Sequence, residues 1–485
     1  MTAQETETIS TDKTNKLSVP ALTAMVVGSM VGAGVFTLPQ RFAAHTGVLG
    51  AIIAWAIAGA GMLMLAFVFQ SLAVRKPKLD NGVYVYARAG FGKYPGFLSA
   101  IGFWASSCAG NTFYWILITS TLKPLIPAFG DGNTIWATLV SSACVWGFYF
   151  LIMRGVKEAA GINAIVTAAK IIPLLLFVVV TVVAFKPEVF IHNLTGGYDT
   201  GGTSLFGQVQ GTMLVTVFVF LGIEGASVYS RYAKKREDVG RATVLGFLSV
   251  LALFATVSII SYGILPQEQL AQLRQPSVGS VLEAAVGPWG AWFISGGLII
   301  SVLGAYLAWS LMASEVLFAA AKDRDMPAFL AKTTKKEVPG NALIITTVFI
   351  QLLLIIVLFS DGALDFMLDL TAALSLMPFA LVAGYALKIA VTRDGYAGLP
   401  KRTRTRDMIV AAIAVIYTLF LIFAAGPEFL LLACVLLAPA TLLYGFAARE
   451  EGSRLFTKPG WVVFVVVLIG AIIGVIGLAT GFVTI

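Results

Sequence analysis

Long apolar runs separated by short polar connectors set the rhythm of this chain from residue 17 to residue 483. A helix that crosses a bilayer needs about 20 consecutive apolar residues. By that measure thirteen spans are predicted, over about 17–41, 48–74, 94–122, 134–153, 160–185, 206–230, 242–264, 289–320, 341–360, 364–390, 407–425, 428–447 and 460–483. The runs are uniformly apolar and do not alternate, which excludes the strands of a β-barrel. The expected fold class is therefore all-α and polytopic. Residues 1–16 are polar and lack a basic stretch with a cleavage site, so no cleaved signal peptide is expected.

Composition sharpens this picture. Of 485 residues, 58% are hydrophobic and 12% charged, about half the charged share of a soluble domain. The mean hydropathy is +0.89. A soluble enzyme, a disordered tail and a nucleic-acid binder are all excluded. The 48 glycines fit membrane helices, where small residues let backbones approach. Cys108, Cys144 and Cys434 lie in apolar stretches and read as packing residues.

The net charge of +8 changes meaning once its placement is known. With the N-terminus inside, 28 of the 33 Lys and Arg fall on inside segments, four (Arg41, Lys123, Lys186, Arg274) on outside loops, and Lys170 within a span. Lys and Arg concentrate on cytoplasmic loops, so the N-terminus is expected in the cytoplasm of a multi-pass inner-membrane protein. Binding of anionic lipid by these loops is compatible with the same charges. The expected organisation is a tail over 1–16, a core over 17–395 and added helices over 396–485, with the basic segment 391–407 at the boundary. Two connectors carry further expectations: a short surface helix around Leu265–Leu270, and an interfacial stretch over Asn81–Arg88.

Two spans carry glycine clusters where a straight helix would otherwise run: Gly28-Ser29-Met30-Val31-Gly32-Ala33-Gly34 in span one, and Gly222-Ile223-Glu224-Gly225-Ala226-Ser227 in span six. Glycine costs about 1 kcal/mol relative to alanine inside a helix. Clusters of it favour unwinding, and unwinding frees N–H and C=O groups that need partners in lipid. Freed N–H groups attract a carboxylate and freed carbonyls an ammonium, which together suit an amino acid. Close packing through small residues is the competing reading of a single cluster. Interruptions in corresponding spans of two halves point instead to an inverted-repeat transporter with a midplane site.

The first cluster, continued by Val35-Phe36, resembles the first-helix signature of the amino acid–polyamine–organocation transporters. Phe220-Leu221-Gly222-Ile223-Glu224-Gly225-Ala226-Ser227, followed by Ala233–Thr243, is similar to the sixth helix and next loop of the basic amino acid/polyamine antiporters, nearest to the arginine/ornithine antiporter and lysine permease branch. The resemblance covers roughly 17–485. It implies a five-plus-five inverted-repeat core, leucine-transporter-like, with helices 1 and 6 broken, and alternating access. It also implies roles residue by residue. N–H groups of Met30, Ala33 and Gly34 would hold the carboxylate, and carbonyls of Met30, Phe218 and Leu221 the amino group. Asn111, with the carbonyls of Ser106 and Ser107, would face the cationic end, and Trp309 would stack on it. Thr371 falls where arginine/agmatine exchangers place a serine, and Phe218 where they place a gating tryptophan.

Charges within spans are expensive, at least about 2.5–3.5 kcal/mol each on insertion scales, so each is weighed. Glu224 would gate the site, take a proton during the cycle, or cap broken backbone. Lys170 would take the place of the sodium ion of sodium-coupled relatives of this fold, or snorkel to the interface. Glu315 would pair with Lys170 or with an inner-gate cation, or end its helix beside lipid. Asp365 and Asp369, one turn apart, would steer cationic substrate or simply begin a helix. Asn193-Leu194-Thr195 reads as a chance sequon. The expectation is an antiporter of cationic amino acids, arginine for ornithine first, with a proton-coupled or uniport lysine permease as the alternative. No catalytic group, cofactor, metal or nucleic-acid partner is expected, and a homodimer stays open. An ion channel would need a filter motif, and an intramembrane enzyme would need paired catalytic groups at depth. Neither is seen.

Overall fold

In lipid every main-chain N–H and C=O must be satisfied within the segment, and the apolar runs of this chain accordingly coil into helices. The computed structural model describes residues 18–79, 82–155, 159–195, 203–224, 236–360 and 362–483, and no strand occurs among them. Among the described residues ten helices are each long and apolar enough to cross a bilayer, and a bent pair in the first span makes up to an eleventh. The other two predicted spans differ for visible reasons. Lys93–Thr121 is a 29-residue helix whose Ser, Thr, Gly and Asn side chains lower its hydropathy. Leu205–Phe220 stops after 16 residues, where the chain breaks. The tail over 1–16, Gly225–Ser227 and Ala233–Lys235 lie outside the described residues.

The helices are labelled in chain order: α1 (Val19–Met30), α2 (Leu38–Ala43), α3 (Val48–Arg75), α4 (Val83–Phe91), α5 (Lys93–Thr121), α6 (Ile135–Met153), α7 (Ala159–Val183), α8 (Pro187–His192), α9 (Leu205–Phe220), α10 (Arg236–Ser261), α11 (Gln267–Ala271), α12 (Ser277–Val286), α13 (Pro288–Lys322), α14 (Gly340–Ile356), α15 (Ala363–Thr392), α16 (Lys401–Ala424), α17 (Gly426–Glu450) and α18 (Lys458–Thr480). α5 is buried along its whole length beyond Lys93 and packs against α13 and α15. It is the central post of the bundle. α1 packs on α10, α3 on α9 and α16, and α17 on α18. Peripheral helices turn large apolar side chains outward, such as Val462, Val466 and Ile476 of α18. Exposed apolar surface on this scale is what a lipid-facing protein presents. The three cysteines are free.

The two connectors fare differently. The short helix expected near residue 265 is present as α11, at the surface on its Glu268 and Gln269 side and anchored by buried Gln267 and Leu270. The Gln267 amide donates to the Ala43 carbonyl at 3.0 Å, and its main-chain N–H donates to Asn193 Oδ1 at 2.9 Å. Asn193 is wholly buried and donates to the carbonyls of Tyr262 and Leu265. Its amide is thus a structural clamp with no room for a glycan, as the chance reading of the sequon requires. The stretch expected at the interface becomes α4, with Val83 through Ala87 buried against α5 and α15; Asn81 lies outside the described residues. Alternating apolar residues fail to predict this because the polar face is satisfied by protein.

That polar face clasps the end of α13. Tyr84 donates to Asp323 Oδ2 at 2.6 Å, Arg88 donates to the Asp323 carbonyl at 3.1 Å, and Arg88 Nε lies 2.8 Å from Asp325 Oδ2. The Asp325 side chain is fully buried. Burial pushes its carboxyl up to about 7, against the opposing pull of Arg88. A carboxyl raised on folding binds its proton more tightly in the folded state, so its stabilising effect is complete below about pH 4 and is lost as pH rises toward 7. Melting curves from pH 5 to 8 should show a decline in melting temperature that Asp325→Asn flattens. An unchanged slope in the variant would assign the pH dependence elsewhere.

Candidate functional site

The first break follows from local backbone needs. α1 ends at Met30, and Val31 closes it with a bond to the Val27 carbonyl at 2.9 Å. Gly32 is extended, a 3-10 turn runs over Ala33–Thr37, and α2 follows, bent 51° from α1. The leading N–H groups of a helix that restarts, here Ala33 and Gly34, have no partner within it, and neither do the last carbonyls of the helix that stopped. The second break comes at Phe220. Leu221 is extended, and Gly222 adopts φ +104°, a conformation that glycine takes without strain.

The two breaks touch. The Ser29 hydroxyl donates to the Val26 carbonyl at 2.8 Å and to the Gly222 carbonyl at 3.4 Å. A Cβ on Gly222 would overlap the Ser29 carbonyl oxygen, and a Cβ on Gly34 would come within 2.6 Å of the Phe218 ring. Here glycine is required by close approach, main chain against main chain and main chain against ring. Beside the crossing lies a cavity of about 30 Å³, room for about two waters.

Nine of the ten substrate-site residues expected from sequence line this cavity: Met30, Ala33, Gly34, Ser106, Ser107, Phe218, Leu221, Trp309 and Thr371. Asn111 does not reach it. It is fully buried behind, its amide donating to Ser310 Oγ at 3.2 Å and its Oδ1 without a partner. Ser106 donates to the Thr371 carbonyl at 2.7 Å, Ser107 to the Phe103 carbonyl at 2.9 Å, and Thr371 to the Met367 carbonyl at 2.6 Å. Only the Ser106 hydroxyl ties α5 to α15; those of Ser107 and Thr371 are spent within their own helices. Phe218 packs edge-on against Phe113 at 4.8 Å, and Trp309 lies 6.4 Å from Phe103.

Of the expected gating and coupling residues, two sit at the breaks. The Glu224 carboxylate accepts the Gly222 N–H with both oxygens, at 3.2 and 3.1 Å. Lys170 of α7 is buried and donates to the Gly28 carbonyl at 3.3 Å. In an unbroken helix that carbonyl would be satisfied by Gly32; the break leaves it to Lys170. Glu315 does not join them. It is exposed and forms no ion pair among the described residues, so the pairing with Lys170 is not made. Ser314 is on the buried side of α13, and one residue further turns about 100° round the helix, carrying Glu315 away.

Asp365 stands in the first turn of α15, as the helix-opening reading has it, and both it and Asp369 also hold Arg41, which the sequence assigns to an outside loop. Arg41 is buried in α2, with Nη2 2.6 and 2.8 Å from the two Asp369 oxygens and Nη1 3.2 Å from Asp365. The pairing joins the bent half of the first span to α15. Sequence could not foresee it, since the partners are more than 320 residues apart. Sequence reading also missed Ser310 and Tyr114. For Tyr114 a signal existed: it stands three residues beyond Asn111 on α5, and so on the same helix face. Among the described residues no three His, Cys, Asp or Glu converge as a metal site.

The fold defines a polytopic α-helical membrane protein with two interrupted helices crossing at a small polar cavity. The chain belongs to the amino acid permease family, whose model matches residues 17–427, within the amino acid–polyamine–organocation superfamily. It is 46% identical over 482 residues to an arginine/ornithine antiporter of Pseudomonas aeruginosa, covering 98% of this chain and 100% of that one. It is 40% identical to an L-lysine transport protein of Corynebacterium glutamicum (96% and 95% covered) and 37% identical to an arginine/agmatine antiporter of Chlamydia pneumoniae (91% and 92% covered).

Proposed function

We propose that this protein exchanges cationic amino acids across the bacterial inner membrane by alternating access, arginine for ornithine. The observation that carries this reading is the crossing of two broken helices, at Ser29 and Gly222, beside a cavity that meets both freed N–H groups and an aromatic wall. Ala33 and Gly34 take the substrate carboxylate on main-chain N–H groups, the Met30 N–H being already spent within α1, and carbonyls at Met30, Phe218 and Leu221 take the amino group. Trp309 stacks on the cationic end, which Ser106, Ser107 and Thr371 border and Asn111 supports from behind. A cation over tryptophan contributes about 0.5–2 kcal/mol. Phe218 closes over the ligand, Glu224 holds the second break, and Lys170 supplies a fixed positive charge at the first. The arginine/ornithine antiporter at 46% identity supports the choice of substrates.

The core over 17–395 is read as the inverted repeat, the helices over 396–485 as additions, and the tail over 1–16 as cytoplasmic. A second reading, a proton-coupled or uniport permease for lysine, has its own support: the buried Lys170 at the broken helix, and the lysine transport protein at 40% identity.

Reconstituted vesicles separate the two. Labelled arginine is expected to enter ornithine-loaded proteoliposomes at least about tenfold faster than empty ones. Equal rates would end the exchange reading, and dependence on an imposed pH gradient would favour the proton-coupled permease.

A further inference from the structure

The polar groups around the cavity fall into two sets. Ser29, Ser106, Ser107 and Thr371 each already donate their hydroxyl to a main-chain carbonyl. Tyr114 does not. Its phenol extends from α5 to the first break, where a methyl group placed on Gly32 would meet the Tyr114 hydroxyl at 3.7 Å and nothing else within 4 Å. The hydroxyl makes no hydrogen bond among the described residues, although Tyr114 is 6% exposed and lines the cavity. The ring is held edge-on against Phe113 at 6.1 Å. Buried tyrosine hydroxyls usually find a partner, and leaving one unmade is unfavourable. A rigidly held donor, unpaired and facing a ligand cavity, is a group waiting for an acceptor.

We propose that Tyr114 is a specificity-determining residue: its hydroxyl donates to the substrate carboxylate at the first break and so selects amino acids over the amines left when that carboxylate is lost. The inference rests on the reading above, in which the carboxylate lies at Ala33 and Gly34. The phenol approaches the break beside Gly32, the residue that leads into those two N–H groups. Among the hydroxyls of the cavity lining it alone is uncommitted. A neutral donor beside main-chain N–H groups adds a further hydrogen bond to an anion, and bonds to charged groups are the stronger kind. An amine without the carboxylate gains nothing from it.

The test is Tyr114→Phe, which deletes one oxygen and keeps the ring. In ornithine-loaded proteoliposomes the KM for arginine should rise about tenfold, while inhibition of that uptake by agmatine and putrescine should change less than twofold. Equal weakening for arginine and the amines would overturn the proposal, as would an unchanged KM. If the wild type binds neither amine, the variant should stay blind to both while its KM for arginine rises, and a variant that begins to bind agmatine would overturn the proposal. Thermal melting without substrate gives a second readout. The variant should melt at the wild-type temperature or higher, since the oxygen has no protein partner to lose. A drop of several degrees would mean that the hydroxyl is already engaged, and would overturn the assignment. Should the wild type itself fail to exchange arginine for ornithine, the functional reading fails; a wild type that exchanges beside a variant indistinguishable from it defeats this inference alone.

Discussion

Gly222→Ala is expected to abolish transport, with labelled arginine uptake falling at least about 100-fold. Two effects combine at this residue. Its φ of +104° is one that a side chain rarely adopts, and strain of this kind is of order 1–3 kcal/mol. The added Cβ would also overlap the Ser29 carbonyl oxygen, with the Ser29 carbonyl carbon 3.0 Å away. Those neighbours are main chain, so no rotamer change can relieve the overlap. The broken spans must separate, and the cavity beside them changes shape. The check is uptake in proteoliposomes together with the melting temperature of the purified protein. Wild-type uptake from the variant would show that the crossing is not part of the transport machinery.

Arg41→Ala should be the most destabilising of the charge substitutions. The guanidinium forms a fork on both Asp369 oxygens and also reaches Asp365. Asp365 is 43% exposed and its pairing adds little, about 0–1 kcal/mol. Asp369 is 16% exposed, and stranding its carboxylate is costly, about 3 kcal/mol. Arg41→Lys keeps the charge but not the planar fork, and should recover only part of the loss. In the double variant Arg41→Ala with Asp369→Ala the stranded charge is gone, so its melting temperature should exceed that of Arg41→Ala alone. Equal melting of the two would contradict a coupled pair.

How much was legible in the sequence depended on the range of the interaction. The spans were readable because apolar length is a local property, and so were the breaks, since Gly28, Gly32, Gly34 and Gly222 mark them directly. The cavity residues were carried largely by resemblance around those glycines. What remained hidden was tertiary. Nothing local shows that Arg41 turns inward to meet Asp369, that Asn193 becomes a clamp for α11, or that Glu315 faces away while Ser314 faces in. Tyr114 falls between these cases. Its helix face was computable from Asn111, but its unpaired hydroxyl became visible only when the partners of every neighbouring hydroxyl were known.

The small volume beside Ser29 and Gly222 has an energetic corollary. A chamber that holds about two waters cannot admit an arginine without displacing Phe218 from Gly34 or Trp309 from its neighbours. Cargo must therefore inflate its own berth. The affinity measured at equilibrium is the contact energy reduced by the rarity of the expanded form, so weak apparent binding would be compatible with tight gripping once a passenger is aboard.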